Sequence, residues 1–346
     1  MNDAPSNKTT KDSQAGIAPA REPIKRTAEV SAQTHGLRFD QAAAQLFPEF
    51  SRGRLQQWIK SGDLTVDGQP GKTKQKLQSG SQLVLDAEFE IETPWQPENI
   101  PLNIVFEDEH LLVLDKPAAC TVHPAPGLNS GTLANAVLAH CPANAELPRC
   151  GIVHRLDKDT TGLLVVAKSL SAHASLVEQL QARTVSRVYR AIVCGKLISG
   201  GTVDQPVGRH ASVRIKMAVY KTSVASSTAK PAITHFRIEE RFSQHTELRI
   251  NLETGRTHQI RVHMAHIRHP LVGDPVYNSR YRRSAQISDS LDESLRRFPR
   301  QALHATALSF IHPYTGEESS FSADLPADYK ALLAELKAEE KTIHTE

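Results

Sequence analysis

The stretch from Gly151 to Lys168 (Gly-Ile-Val-His-Arg-Leu-Asp-Lys-Asp-Thr-Thr-Gly-Leu-Leu-Val-Val-Ala-Lys) constrains the fold more than any other. Its first half crowds His154, Arg155, Asp157, Lys158 and Asp159 together, and its second half, Leu163 to Ala167, is a bare apolar run. That run is too short for a helix and is preceded by Gly162, so it predicts a buried central strand. The charged loop ahead of it is therefore mounted on something rigid, which is where binding and chemistry concentrate. On spacing alone, Arg155 and Asp157 are equally well a surface ion pair beside a turn.

A chain of 346 residues has room for about two domains with cores of their own. No stretch approaches the roughly 18 apolar residues that a membrane span needs. Met1 to about Gln33 is rich in Lys, Thr, Ser, Ala and Pro and has no signal-peptide core, so residues 1–33 read as a disordered tail. Cys120, Cys141, Cys150 and Cys194 form no Cys-x-x-Cys pair, which suits reduced thiols in a cytoplasmic protein. A zinc site on Cys150 and His154 lacks a second pair of ligands, and no metal is expected.

The net charge of +3 says little, but its distribution says more. From Arg183 to Lys221 there are 8 Lys and Arg against Asp204 alone, and from Gly255 to Arg283 there are 6 against Asp274 alone. Asp86 to Glu109 carries 8 acids and no Lys or Arg, and Glu317 to Glu346 carries 8 acids against 3 lysines. Sorting of this kind suits a polyanion-binding face with a repelling back, although any one block taken alone is an ordinary solvated surface.

From about Thr34 to Asp86 the pattern predicts a compact module. Asp40 is placed to cap a helix through Leu46, and Ser51 to cap a second whose Leu55, Trp58 and Ile59 share a face up to Gly62. Leu64-Thr65-Val66 and the Asp67-Gly68 turn predict a hairpin, with Leu83 to Leu85 as a further strand. Arg52, Arg54 and Lys60 are left on the outer side of the second helix, where they could meet phosphates. Glu88 to Pro101, acidic and proline-rich, reads as a linker. Beyond it come strands at Ile104 to Phe106 and Leu111 to Leu114, a helix from Leu133 to His140, a helix capped by Ser171, and a strand from Tyr189 to Val193. Arg209 to Lys230 reads as an extended loop or hairpin. From Glu253 to Ile267, Thr257 as cap, Ile260, Met264 and Ile267 on one face, and His269-Pro270 as terminator predict a helix. The four histidines from His258 to His269 have no nearby carboxylate pair to complete a metal site. Ser279 to Pro299 reads as a flexible insertion, and Asp328 to Lys341 as a closing helix.

His154-Arg-Leu-Asp-x-x-Thr-x-Gly-Leu-Leu-x-x-Ala-Lys168 resembles the signature of the RluA/RluD-type pseudouridine synthases, which modify ribosomal and transfer RNA. Lys116-Pro117 with Val122-His123-Pro124, Tyr189-Arg190-Ala191, the block from Glu253 to Tyr277, and Leu303-His304-Ala305 resemble the family's other motifs. Phe39-Asp40, Ser51-Arg52, Lys60-Ser61-Gly62 and Val66-Asp67-Gly68 resemble an S4 RNA-binding module, with a plain helical cap domain as the alternative.

The resemblance implies an α+β chain: an S4-like RNA-binding domain over 34–87, a linker over 88–101, a mixed, mostly antiparallel catalytic domain over 102–335, and a tail over 336–346. It assigns Asp157 as the catalytic carboxylate, Arg261 as its partner, and Tyr189 as the ring that stacks on the target base and could act as a base. Arg155 becomes the residue that fills the space of the extruded uridine, His154 a support of the loop, and Leu303 a wall of the uracil pocket. The leading S4-like module argues against the short form that modifies transfer RNA, and Lys158 to Thr161 with Gly255 to Tyr277 are most similar to the subtype acting on large-subunit 23S rRNA. This implies the helix 69 uridines, at positions 1911, 1915 and 1917 in rRNA numbering, and a monomer that meets rRNA or a large-subunit precursor and no membrane. Arg268 stands where many relatives have Gly.

The reaction breaks the bond from ribose C1′ to uracil N1, turns the base and rejoins it through C5. No electrons or phosphate change hands, so no cofactor is required. A carboxyl of ordinary pKa, about 3.9, is ionised at neutral pH, and a nearby Arg favours that form. Whether Asp157 adds to the sugar or removes a proton from it is left open by the sequence. A ribosome-assembly factor that only binds RNA, or a synthase of other rRNA uridines, is the alternative. A base-releasing glycosidase would want paired carboxylates, which Asp157 and Asp159 are too local to supply.

Overall fold

The computed structural model describes residues 21–343 apart from 49, 51, 91–94, 125–127, 214, 221–228, 280–282 and 285. The predicted Ser51 cap lies outside the described residues. The chain divides after Pro94 into two compact units.

In the first unit, β1 (Arg21–Glu29), α1 (Phe39–Leu46), α2 (Arg52–Ser61), β2 (Leu64–Val66), β3 (Gln69–Pro70) and β4 (Gln82–Glu90) build a sheet of order β1-β4-β2-β3 beside two helices. The expected apolar face of α2, Leu55, Trp58 and Ile59, is buried with Phe39, Ala42 and Ala43 of α1 and with Leu64, Leu83 and Leu85 of the sheet. Asp67 and Gly68 both have positive φ, at 51° and 73°, as a two-residue hairpin turn between β2 and β3 demands.

Three expectations are corrected here. The segment read as a disordered tail contains β1, which pairs along its whole length with β4, Arg21 opposite Glu90 through Glu29 opposite Gln82. Ile24 and Ala28 pack against the core, and Val30 is buried; Arg26 interrupts that alternation, so the strand pattern was weak in the sequence. Asp40 is not a cap: it lies inside α1, fully buried, with its carboxylate accepting from Arg38, Arg52 and Gln56 at 3.0, 2.7 and 2.6 Å. Arg52 is therefore paired with α1 as well as half exposed. The segment read as a linker from Glu88 begins inside β4, and Trp95 packs against the core of the second unit.

The second unit contains β5 (Ile104–Glu107), β6 (Leu111–Lys116), α3 (Leu133–His140), β7 (Thr161–Ala167), α4 (Leu170–Ala182), β8 (Ser186–Cys194), β9 (Gly201–Asp204), β10 (Val207–Arg209), β11 (Met217–Val219), β12 (Ile233–Arg241) and β13 (His245–Leu252). It ends with α5 (Gln259–His266), α6 (Asp289–Arg297), β14 (Leu303–Ile311), β15 (Glu318–Ser322) and α7 (Ala327–Ile343). Nine strands form one sheet of order β5-β6-β7-β14-β8-β13-β12-β9, with β15 added to β14, and β10 with β11 makes a separate hairpin. Every pairing in the large sheet is antiparallel except β7 with β14. The expected α+β class with a mostly antiparallel sheet is what the chain adopts.

Both faces of the sheet are covered, which explains the unbroken apolar run of β7. Leu164 and Val166 share a core with α3 and α5, whereas Leu163 and Val165 share one with Ala172 and Leu176 of α4. The α4 helix is capped by Ser169, whose Oγ accepts the Ala172 N–H at 3.2 Å, and not by Ser171. The supposed flexible insertion contains α6, whose Leu291 and Leu295 bury one turn apart against Tyr329, Leu332 and Leu336 of α7. Leu336 is 1% exposed, so the supposed tail from residue 336 is also part of the fold.

Candidate active site

The loop before β7, the start of β14 and the middle of β8 meet because those strands are neighbours. Gly162 pairs with Ala305, and Ala305 with Tyr189, so the three form a row across the sheet with Asp157 five residues upstream of its first member. Gly162 has φ of 110°, and a Cβ there would stand 2.2 Å from the Ala305 carbonyl oxygen. Only glycine permits that approach.

Over this row opens a cleft of about 570 Å³, lined among others by Arg155, Asp157, Tyr189, His258, Arg261 and Leu303. The first turn of α5 aims Arg261 inward, and its Nη1 donates to Asp157 Oδ2 at 3.0 Å. The Asp157 side chain is 15% exposed and that of Arg261 5%. The other edge of the guanidinium is held by a residue the sequence had not singled out. Asp274, fully buried, accepts from Arg261 Nε at 2.7 Å and Nη2 at 2.9 Å, and from the backbone N–H groups of Val276 and Tyr277 at 2.8 and 2.9 Å. Burial alone would push the Asp274 carboxyl up, but Arg261 and those two amides outweigh it and hold it below the ordinary value. Burial likewise opposes the charge of Arg261, and the two carboxylates reverse that and hold it protonated. Gly273-Asp274-Pro275 reads as a turn, so only its place within the family-like block from Glu253 to Tyr277 pointed to Asp274.

Tyr277 stacks beneath the Arg261 guanidinium, 5.3 Å from ring centre to Cζ. Its hydroxyl accepts the Met217 N–H at 2.8 Å and lies 3.0 Å from His258 Nδ1. The other ring nitrogen, Nε2, lies 3.9 Å from Asp157 Oδ2. His258, and not the predicted Thr257, precedes α5; its φ of 56° turns the ring toward the carboxylate.

Two buried cations hold the backbone just after Asp157. Lys116, at the end of β6, donates to the carbonyls of Pro117, Cys120 and Lys158 at 2.7, 2.9 and 2.9 Å, and burial pulls its pKa down to about 8. Arg300 grips Asp328 with Nε and Nη2 at 2.7 and 2.8 Å and points Nη1 at the Asp159 carbonyl, 3.4 Å away. The Lys116-Pro117 motif thus touches the loop that carries Asp157.

Tyr189 is 6% exposed and forms the wall of the cleft, with burial pushing its phenol upward. Leu303 lines the cleft at the start of β14, and Arg155 is exposed at its mouth. His154 faces the scaffold: its Nε2 accepts the Val165 N–H of β7 at 3.1 Å, and burial drives its pKa down to about 3. Arg52, Arg54 and Lys60 belong to the first unit. Arg52 is bound to Asp40, the Arg54 guanidinium lies 6.0 Å over Trp58, and Lys60 is exposed. Of the four histidines near α5, His263 is bonded to Thr234 and Gln205 and His269 to the Cys194 carbonyl, as structural imidazoles. Arg268 has φ of 68°, a left-handed conformation that favours Gly.

A family model described as RNA pseudouridylate synthase matches residues 110–266. A Pseudomonas aeruginosa protein named ribosomal large subunit pseudouridine synthase D is 56% identical over 314 residues, covering 91% of this chain and 96% of the relative. The chain belongs to the RNA pseudouridylate synthase family. This synthase is also similar to proteins of the same name from Vibrio vulnificus, 50% identical, and Escherichia coli K12, 48% identical, each covering 91% of this chain and 95% of the relative. Among solved structures, human RNA pseudouridylate synthase domain containing 4 superposes with a TM-score of 0.53 at 25% identity, covering 68% of this chain and 93% of its own. Human RNA pseudouridylate synthase domain containing 1 has the same fold, with a TM-score of 0.50 at 24% identity and cover of 70% and 96%. The synthase is an enzyme that isomerises uridine in RNA. Among the described residues, no helix is long and apolar enough to cross a membrane.

Proposed function

We propose that this synthase converts uridines of large-subunit rRNA to pseudouridine, with the helix 69 stem-loop as target, Asp157 as the carboxylate that acts on the nucleotide, and Arg261 and Tyr189 as its partners. The observation that carries the reading is the 3.0 Å contact between Asp157 and Arg261 in a cleft walled by Tyr189. The names of the relatives support the rRNA substrate.

The chemistry balances without an outside reagent. The C1′–N1 bond breaks, the C1′–C5 bond forms, and the proton lost from C5 is replaced by one gained at N1. Asp157 supplies a carboxylate oxygen at the sugar or base; Arg261 orients it; Tyr189 and Leu303 provide apolar walls that hold the detached uracil and exclude water. The uridine must leave its stack to enter, which costs a few kcal/mol in a duplex and less in a loop. Arg155, at the mouth, is the residue we assign to the vacated space. The first unit, with its two helices and Arg52, Arg54 and Lys60, is read as an S4-like module that helps to hold the RNA, in a cytoplasmic enzyme acting as a monomer.

The test is Asp157→Asn. The variant should bind rRNA as the wild type does and form no pseudouridine in a primer-stop assay; full activity would refute the assignment. Mapping pseudouridines in rRNA from a deletion strain tests the target, since stops retained in helix 69 would place the activity on other uridines. Rescue of that strain by Asp157→Asn would favour an assembly factor.

A further inference from the structure

Arg187 lies on β8 two residues before Tyr189, so both side chains project from the same face of the sheet into the same cleft. The residue is 7% exposed, yet its guanidinium has little to satisfy it. Nη2 donates to the Glu253 carbonyl at 3.3 Å, Nε has no partner, and among the described residues Arg187 forms no ion pair. The nearby Glu253 carboxylate is engaged elsewhere, with Arg183 at 2.9 Å and His235 at 2.7 Å. Room for the head group is made by Gly255, where a Cβ would stand 2.7 Å from Nη1. His154, the imidazole beside it, is neutral and supplies no counter-charge.

A buried guanidinium without an acid is costly, and a chain that keeps one in its substrate cleft has a use for the unfilled donors. Every other buried arginine of the site is matched, Arg261 by Asp157 and Asp274 and Arg300 by Asp328. We propose that Arg187 is an anion-binding point of the cleft and takes a backbone phosphate of the RNA flanking the target uridine. The uracil ring is neutral as it enters, so the anion that arrives with the substrate is a phosphodiester, whose oxygens match the guanidinium fork. Two residues of strand separate Arg187 from the Tyr189 row by about 7 Å, roughly one nucleotide along an extended backbone. Arg149, Arg155, Arg183 and Arg256 line the same cleft and continue a basic path away from it.

This assignment rests on the Asp157 cleft being where the nucleotide docks, and the two can fail separately. The probe is a synthetic RNA hairpin that the enzyme modifies, carrying a neutral methylphosphonate at one or the other phosphate beside the target uridine. Wild-type enzyme should lose roughly tenfold in affinity at one of these two positions. Arg187→Met should bind the unaltered hairpin about tenfold more weakly and ignore that methylphosphonate. Its plot of log affinity against log salt should be shallower by about 0.7 to 0.9. Arg187→Lys, which keeps the charge, should keep the sensitivity. If wild type tolerates both methylphosphonates, the proposal falls even should Arg187→Met fail to fold. It also falls if Arg187→Met binds normally and is slowed only in single turnover at saturating RNA, which would place Arg187 in the chemistry. An active Asp157→Asn enzyme would sink the catalytic assignment while leaving the phosphate result standing.

Discussion

Asp274 takes Nε and Nη2 of Arg261 at 2.7 and 2.9 Å and leaves only Nη1 to meet Asp157, at 3.0 Å. The guanidinium is therefore aimed by one acid at another. Asp274→Asn removes one of the two carboxylates that share Arg261 and should let the guanidinium rotate away from its aim at Asp157. The expected result is a single-turnover rate lower by about a hundredfold, as small misplacements of a reacting group cost, with RNA affinity changed less than threefold. Chemical denaturation should show a loss of about 3 kcal/mol from breaking a buried pair. An Asp274→Asn enzyme of unaltered rate would mean that Arg261 needs no aiming.

His258 and Tyr277 are a second layer around Asp157. Burial holds the His258 imidazole below its ordinary value; Asp157 and Asp274 oppose this, while Arg261 and Arg155 add to it. Protonation of the ring, which that burial opposes, would put a cation beside Asp157. Tyr277→Phe should slow single turnover by roughly five- to tenfold, about 1 kcal/mol. His258→Gln should remove the part of the acid limb that belongs to this imidazole. A pH profile identical in wild type and His258→Gln would show that the ring does not act on the carboxylate.

Lys116 can be tested by its neighbours' dynamics. Lys116→Met removes the donor for three carbonyls at once, those of Pro117, Cys120 and Lys158. Stability should fall by about 2 kcal/mol or more, since buried acceptors are left unmatched. The Thr160 amide, bonded to the Asp157 carbonyl at 3.0 Å, should exchange its hydrogen faster in the variant. Unchanged exchange there would mean that the loop is held by other contacts.

Two buried imidazoles set an acid limit to stability. Burial lowers both His245 and His304 to a pKa of about 4, while in the unfolded chain each titrates near the ordinary 6.5. Between those values the unfolded state binds more protons, so stability is full above about pH 6.5 and drains as pH falls toward 4. The loss is roughly 3 kcal/mol per imidazole by pH 4. Urea midpoints at pH 7, 5.5 and 4.5 should fall in that order, and His304→Asn should flatten the slope.

Much of the fold was legible because its signals are local. The β7 run, the tight hairpin turn at Asp67-Gly68 and the helix from Leu133 to His140 each declare themselves within a few residues. The family-like motifs brought Asp157, Tyr189, Arg261 and Leu303 to attention, and all four line one cleft. Partnerships made across the fold were not legible. Nothing near Asp40 says that its acceptors are wanted by α2, nothing near Asp274 says that it faces Arg261, and Arg187 on its strand looks like any basic surface residue. The α6 helix was missed for a different reason: its two core leucines sit in an otherwise charged segment, which composition alone assigns to solvent.

Lys116 fastens the oxygen of residue 158 and Arg300 reaches that of residue 159. The segment carrying Asp157 therefore behaves as an anvil: with consecutive peptide units clamped, it has little freedom to follow an arriving molecule. Adaptation during engagement must come from the nucleic acid, and a transcript already splayed at its target should react sooner than one that has to be pried open.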